Sequence, residues 1–221
     1  MSSAVDICNL ALGHLGDEAT VSSLDPPEGS AQAEHCARYY PIARRALLSM
    51  HAWSFNTRRA SLALLSATPP AGWGYVYALP AQCLKPVAVY MPEQVDNYAL
   101  LAGDVVPQDT GDFNTQAFVA ETLSTGVKVI YTNVEEAVLL YLVDVTDTTK
   151  FSPLVDLALA RLLASFLAGP IIKGTEGMRV AGAHRKFFND VEFPDATKAD
   201  ANARQSSPYT TATPAPIKAR Q

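Results

Sequence analysis

The sequence predicts an α+β fold: terminal α-helices forming a helical bundle, an antiparallel β domain inserted between them, and an extended C-terminal tail. Three observations predict it. Capped helical patterns occupy residues 1–52 and 151–205. Short runs of strand composition, punctuated by turn residues, fill residues 53–150. Residues 206–221 are rich in Pro, Ser, Thr and Ala and carry few apolar anchors.

The first helix is expected to start at Ser3, because Ser3-Ala4-Val5-Asp6 reads as a capping box with Asp in the Glu position. Val5, Cys8, Leu12 and Leu15 recur at helical spacing, and Gly16 ends the run. Asp17 to Gly29, with Asp25-Pro26-Pro27, is a loop. A second helix is expected from Ser30 to about His51, with Ala33, Cys36, Ala37 and Tyr40 on one face and Leu47 and Leu48 resuming it. Pro41 lacks an N–H, so a kink or split is expected there.

From Trp53 onward the runs shorten. Leu84–Tyr90, Tyr98–Leu101, Thr115–Thr122, Gly126–Thr132 and Ala137–Thr146 read as strands. Thr132-Asn133-Val134-Glu135 reads as a hairpin turn joining the last two, and Gly103-Asp104 and Thr110-Gly111-Asp112 as turn clusters. Helix returns at Ser152-Pro153, an N-cap followed by Pro at the first helical position. Leu154 to Ala168 is apolar on nearly every face, which implies burial all round and points to a neighbouring subunit as cover. Gly169-Pro170 reads as a stop. A last helix follows Thr175, with Val180, His184, Phe187 and Val191 as its stripe, and resumes through Ala196 to Gln205.

Of the 221 residues, 48% are hydrophobic and 18% charged, which excludes a disordered chain and permits a core without metals or disulfides. Met1 to Leu10 has no basic n-region and contains Asp6, so no signal peptide is expected. No apolar run reaches membrane-span length; Arg161 interrupts the longest, Leu157–Ala168. Synthesis in the cytoplasm, with no membrane partner, is therefore expected. Cys8, Cys36 and Cys83 are odd in number and lie outside metal-ligand spacing, so buried reduced thiols are expected.

Net charge is −5, and all of it falls between Trp53 and Lys150, where ten acids face Arg58, Arg59, Lys85, Lys128 and Lys150. That balance argues against tight nucleic-acid binding by this region.

No catalytic, cofactor or metal site emerges. Gly169 to Thr175 superficially resembles a phosphate loop but lacks the Lys after its second Gly and follows a helix. His14, His35, His51 and His184 show no i, i+4 pairing; His51 stands at a helix end, where a cationic ring complements the dipole. The acid pairs Glu135-Glu136 and Asp17-Glu18 sit at turns, where they are solvated. Trp53, Trp73, Tyr75 and Tyr77 lack interleaved bases, so they are expected to pack the β domain onto the helices.

Several segments, in order, resemble the head–tail adaptor (tail tubular protein A-like) family of short-tailed bacteriophages. Ala4 to Leu12 with Leu15-Gly16 is similar to that family's opening helix. Tyr40, Arg44–Leu48, His51–Phe55 and Arg59-Ala60 resemble its second helix and the turn into the β domain, with Ala52 where the family more often has Pro. Gly72 to Pro80 with Cys83-Leu84 resembles a further signature, and Asp144 to Gly174 is the closest stretch. Nothing after Gln205 matches.

The resemblance implies a non-enzymatic virion protein at the head–tail junction. It implies a dodecameric ring bound to the phage portal protein above and to tail (nozzle) proteins below, with DNA passing through untightly held. The tail fits docking onto the portal, through Pro208, Tyr209, Pro214, Pro216, Ile217, Lys218 and Arg220. The alternatives are a neck or tail-completion protein of a long-tailed phage, a virion-associated cell-wall hydrolase with a Glu in an apolar pocket, and a cytosolic binding protein.

Overall fold

A computed structural model describes residues 2–92 and 115–204. The expected strand Tyr98–Leu101, the turn clusters near Gly103 and Thr110, and the whole tail from Ser206 lie outside the described residues. The described residues are mixed helix and sheet, with two antiparallel sheets.

Helix α1 (Ala4–His14) carries the expected capping box: Asp6 N–H donates to Ser3 Oγ, and Ser3 N–H to Asp6 Oδ2 at 2.8 Å. It closes in a Schellman arrangement, with Gly16 N–H donating to Gly13 O and Asp17 N–H to Leu12 O. Gly16 has φ 74°, which only glycine takes without cost.

Helix α2 (Ala31–Met50) is capped by Ser30 and runs unbroken through Pro41. The expected split does not occur. Proline removes one donor, whereas one continuous face buries Tyr40 before it and Ala43, Leu47 and Leu48 after it, and that burial outweighs the lost bond.

Strands β1 (Thr57–Ser61), β7 (Val138–Val143) and β4 (Cys83–Tyr90) form one sheet in the order β1-β7-β4. Strands β2 (Ala63–Leu64), β3 (Tyr75–Ala78), β6 (Lys128–Thr132) and β5 (Phe118–Thr122) form the other in the order β2-β3-β6-β5. The Thr132–Glu135 turn is therefore no hairpin: β6 and β7 belong to different sheets, and the chain crosses between them there. The aromatic group also divides. Trp53 is fully buried in the core shared by the helices, while Tyr77 lies in the core of the β region and Trp73 packs on Val76, Val129 and Tyr131.

Helix α3 (Pro153–Ile172) has the expected Ser152 cap and Pro at its start. It passes through Gly169-Pro170 and stops at Lys173, so that dipeptide is not the stop. The donor Pro170 lacks belongs to the final turn, a small loss beside the eleven residues α3 buries. Lys173, with φ 64° and ψ 169°, sits in backbone space nearly reserved for glycine and makes the corner into α4 (Gly174–Phe187) sharp. Gly177 then packs against the Ala168 carbonyl and the Gly169 backbone.

Helix α3 is, contrary to expectation, apolar and long enough by composition to cross a membrane, with a mean hydropathy of 1.7 over its most apolar window. Of that window, 61% is buried inside the chain. Its cover is α1, α2, α4 and α5 (Phe193–Arg204), so its apolar faces are satisfied mainly by its own chain. A π-helical turn, Phe188–Glu192, links α4 to α5. It shifts the expected stripe: Phe188 is fully buried, whereas Phe187 and Val191 are exposed.

Candidate functional site

The C-terminus of α2 has no basic residue in its last turn, so its final carbonyls need other partners. Trp53 Nε1 donates to Leu47 O at 3.2 Å and Asn56 Nδ2 to Leu48 O at 2.9 Å. Lys85 Nζ approaches Ser49 O at 3.5 Å, too far to count for much. The strand following this corner is tied in at once: Val143 N–H donates to Asn56 O at 2.9 Å.

Arg44 and Arg45 of α2 converge on Asp144, just past β7. Arg44 bonds both carboxylate oxygens, and Arg45 Nε bonds Oδ2 at 2.9 Å. Burial works to raise the Asp144 carboxyl, but the hydrogen bonds and charges of the two arginines outweigh it and hold the pKa below its ordinary value.

Asp200 of α5 reaches the same corner. It accepts from Ser54 N–H at 2.9 Å and Ser54 Oγ at 2.6 Å, and lies 3.3 Å from His51 Nε2. His51 therefore has a carboxylate partner beyond the helix dipole, and its ring stands edge-on to Trp53 at 4.8 Å. Phe55 meets Phe151 at 5.2 Å, and Trp53 meets Phe193 at 6.1 Å.

A second polar group lies among α1, α3, α4 and the π-helical turn. Arg161, the residue that interrupts the apolar run, is only 18% exposed. Its Nε donates to Glu192 Oε1 at 3.1 Å, and its guanidinium lies over the Phe187 ring at 4.8 Å. Its NH1 stands 3.2 Å from His184 Nδ1. Arginine has no acceptor, so Nδ1 must accept and the neutral His184 carries its proton on Nε2.

Burial, then the Arg161 charge, lowers the His184 pKa. Burial, followed by the charges of Arg161 and His184, pulls His14 down to about 4. Its ring centroid is 6.3 Å from that of His184.

Burial pushes the Glu192 carboxyl up despite the Arg161 pair, and among the described residues its Oε2 has no hydrogen-bond partner. A raised carboxyl in an apolar setting is the sign expected of a hydrolase acid. Here Arg161 grips it, however, and it does not line the open groove of about 470 Å³ formed by Met91, Pro92 and Asn133 to Glu136. Glu135 and Glu136, on that groove, are exposed as the sequence predicted.

Among the described residues, no group of three or more His, Cys, Asp or Glu is placed to hold a metal. Gly169 to Thr175 spans the end of α3, a corner at Lys173 and the start of α4, so the expected junction between two helices is present, narrowed to one residue.

Apolar side chains also face solvent. Leu154 and Leu157 on α3 are exposed, as are Phe187 and Val191. Leu157 is one helical turn before Arg161, and Arg161 stacks on Phe187, so these side chains border one face.

The predicted portal-docking residues, Pro208, Tyr209, Pro214, Pro216, Ile217, Lys218 and Arg220, all lie outside the described residues. Sequence reasoning missed the Arg161–His184–His14–Glu192 group; the one available signal was a charged residue inside an otherwise apolar helix. No protein-family model matches the chain, and no curated protein matches it.

Proposed function

We propose that the chain is a structural head–tail connector of a tailed bacteriophage, forming a ring between the portal and the tail. In this reading residues 1–52 and 151–205 are the helical bundle, 53–150 the inserted β domain and 206–221 the extended tail.

The observation that carries the proposal is where the family-like segments lie. Arg44–Leu48 and His51–Phe55 are neighbours in sequence, but the stretch from Asp144 lies about one hundred residues on, and all three bond to one another at one corner. A resemblance by chance has no reason to fall on residues that hold each other. The described polar clusters also tie elements together, which suits a building block.

The burial of α3 within its own chain removes the over-apolar helix as the reason for a ring. The exposed Leu154, Leu157, Phe187 and Val191 are better candidates for contact between copies, since a heterologous ring contact uses surface the lone chain leaves open.

Electron microscopy of the protein mixed with its portal tests the reading. Twelve-copy rings on the portal are expected, with Leu157→Glu preventing them while leaving the fold intact. Truncation after Gln205 should weaken portal assembly without moving the melting temperature. Failure of the full chain to join the portal rejects the proposal. Peptidoglycan clearing by the pure protein, abolished by Glu192→Gln, would favour a hydrolase.

A further inference from the structure

Helix α4 is held differently from α3, which it packs against. Of its fourteen described residues Gly177 alone is buried outright, with Val180, Ala181 and His184 half-buried beside it. On α3, Ala168 meets Gly177 and Arg161 meets His184, and Ser165 lies between them on the same face. Glycine, alanine and serine remove little apolar surface from water. The fit therefore leans on close backbone approach and on the Arg161–His184 contact.

Both ends of α4 are irregular joints. Lys173 has φ 64° and ψ 169°, and its side chain caps none of the first-turn N–H groups. At the other end the π-helical turn follows Phe187. A helix between two such joints can move as a unit. We infer that α4 is a hinged arm, seated on α3 by the neutral His184 ring and released when that ring and His14 gain protons.

Seated, Arg161 NH1 donates to His184 Nδ1 at 3.2 Å. A protonated imidazole carries N–H on both nitrogens, so Nδ1 can no longer accept, and two cations then face each other. His14 of α1 adds a third charge, its ring centroid 6.3 Å from that of His184. Its Nε2 is shut off from water and has no hydrogen-bond partner among the described residues, so lifting α4 lets water satisfy it.

Glu192, from the π-helical turn, faces these cations, and its Oε1 already accepts from Arg161 Nε. Its raised carboxyl opposes release, because the seated state favours its proton. Burial lowers both histidines, His14 to about 4, so two rings favour release against one carboxyl. Arg185, Lys186 and Asp190 are exposed, and Asp195 and Lys198 of α5 pair with each other on the surface. Phe187 stacks under Arg161 and leaves with α4, so the exposed face it shares with Leu157 lasts only while the arm is seated. The arm stands apart from the connector reading, since all its parts lie in one chain.

Hydrogen exchange of the full chain tests this at about pH 7.5 and about pH 4.5, expressed as protection factors so that the intrinsic effect of pH cancels. Between the two, protection across Gly174–Phe187 is expected to fall at least about tenfold further than protection across α2. His14→Gln combined with His184→Gln should remove that difference. An unchanged α4, an equal loss in α2 and α4, or the same acid response in the double variant would overturn the inference.

Discussion

Arg44 grips Asp144 with two parallel hydrogen bonds, Nε to Oδ1 at 2.9 Å and NH2 to Oδ2 at 3.0 Å, across one hundred residues of chain. The Arg44 side chain is 10% exposed, and that of its neighbour Arg45, bonded to the same carboxylate, is 63% exposed. The geometry makes Arg44 depend on Asp144 far more than Arg45 does. Asp144→Ala leaves a buried guanidinium without its counter-charge and is expected to cost about 2–4 kcal/mol. Arg45→Ala is expected to cost less than about 1 kcal/mol, because water screens an exposed pair. Urea unfolding of both variants checks the ranking, and equal losses would contradict it.

Asp200 ties α5 to the turn after α2. Removing it as Asp200→Ala leaves the exposed Ser54 N–H and hydroxyl to water, at an expected cost of about 0.5–1.5 kcal/mol. The loss should be local first. Hydrogen exchange is expected to speed up in α5 before α1, whose cap and Schellman closure do not involve this carboxylate. Lys198→Ala is the control, since Lys198 pairs with the exposed Asp195, at 3.8 Å. Uniform acceleration through both helices would show that α5 has no separate stability.

Much of the helical frame was legible because caps are local. Ser3 with Asp6, Ser30, and Ser152 with Pro153 each place a start from three or four residues of sequence. Breakers proved less decisive, since Pro41 and Pro170 act through one missing donor while burial along a whole face decides whether the helix goes on.

Strands depended on partners. Thr57 to Ser61 shows no apolar alternation, and β1 exists because β7 pairs with it along all five residues. The polar group around Arg161 was illegible for a related reason. Arg161 shows only as a charge in an apolar helix, His14, His184 and Glu192 each look ordinary alone, and a π-helical turn far from His14 brings the last of them into reach.

Gly177 and Gly182 share a helix and should respond in opposite ways to alanine. A Cβ at Gly177 would stand 2.9 Å from the Ala168 carbonyl oxygen and 3.4 Å from the Gly169 Cα, both backbone atoms that cannot swing aside. Gly177→Ala is expected to cost about 1–3 kcal/mol and to push α4 off α3. A Cβ at Gly182 meets nothing within 4 Å, so Gly182→Ala should stabilise by about 0.5–1 kcal/mol through helix propensity alone. Thermal melts of both variants measure the signs, and a stable Gly177→Ala would mean that the α3–α4 corner is looser than its geometry requires.

His14 makes stability depend on pH below neutrality. Its pKa falls from the ordinary 6.5 to about 4 in the folded chain, through burial first and then the charges of Arg161 and His184. Between those values the unfolded chain binds the proton and the folded chain does not, so stability declines as pH falls from about 6.5 to about 4 and then levels off. His184 is shifted the same way. Glu192 acts in the opposite sense, because its raised carboxyl takes up a proton in the folded chain first and adds stability as pH falls. The His14 contribution is at most about 3 kcal/mol over the interval. His14→Gln removes the titration while keeping a polar side chain at the site. Urea unfolding at a series of pH values should show a shallower slope for the variant between pH 6.5 and 4, with the His184 share remaining. Identical slopes in the two proteins would mean that His14 takes up its proton in the folded state as readily as in the unfolded one.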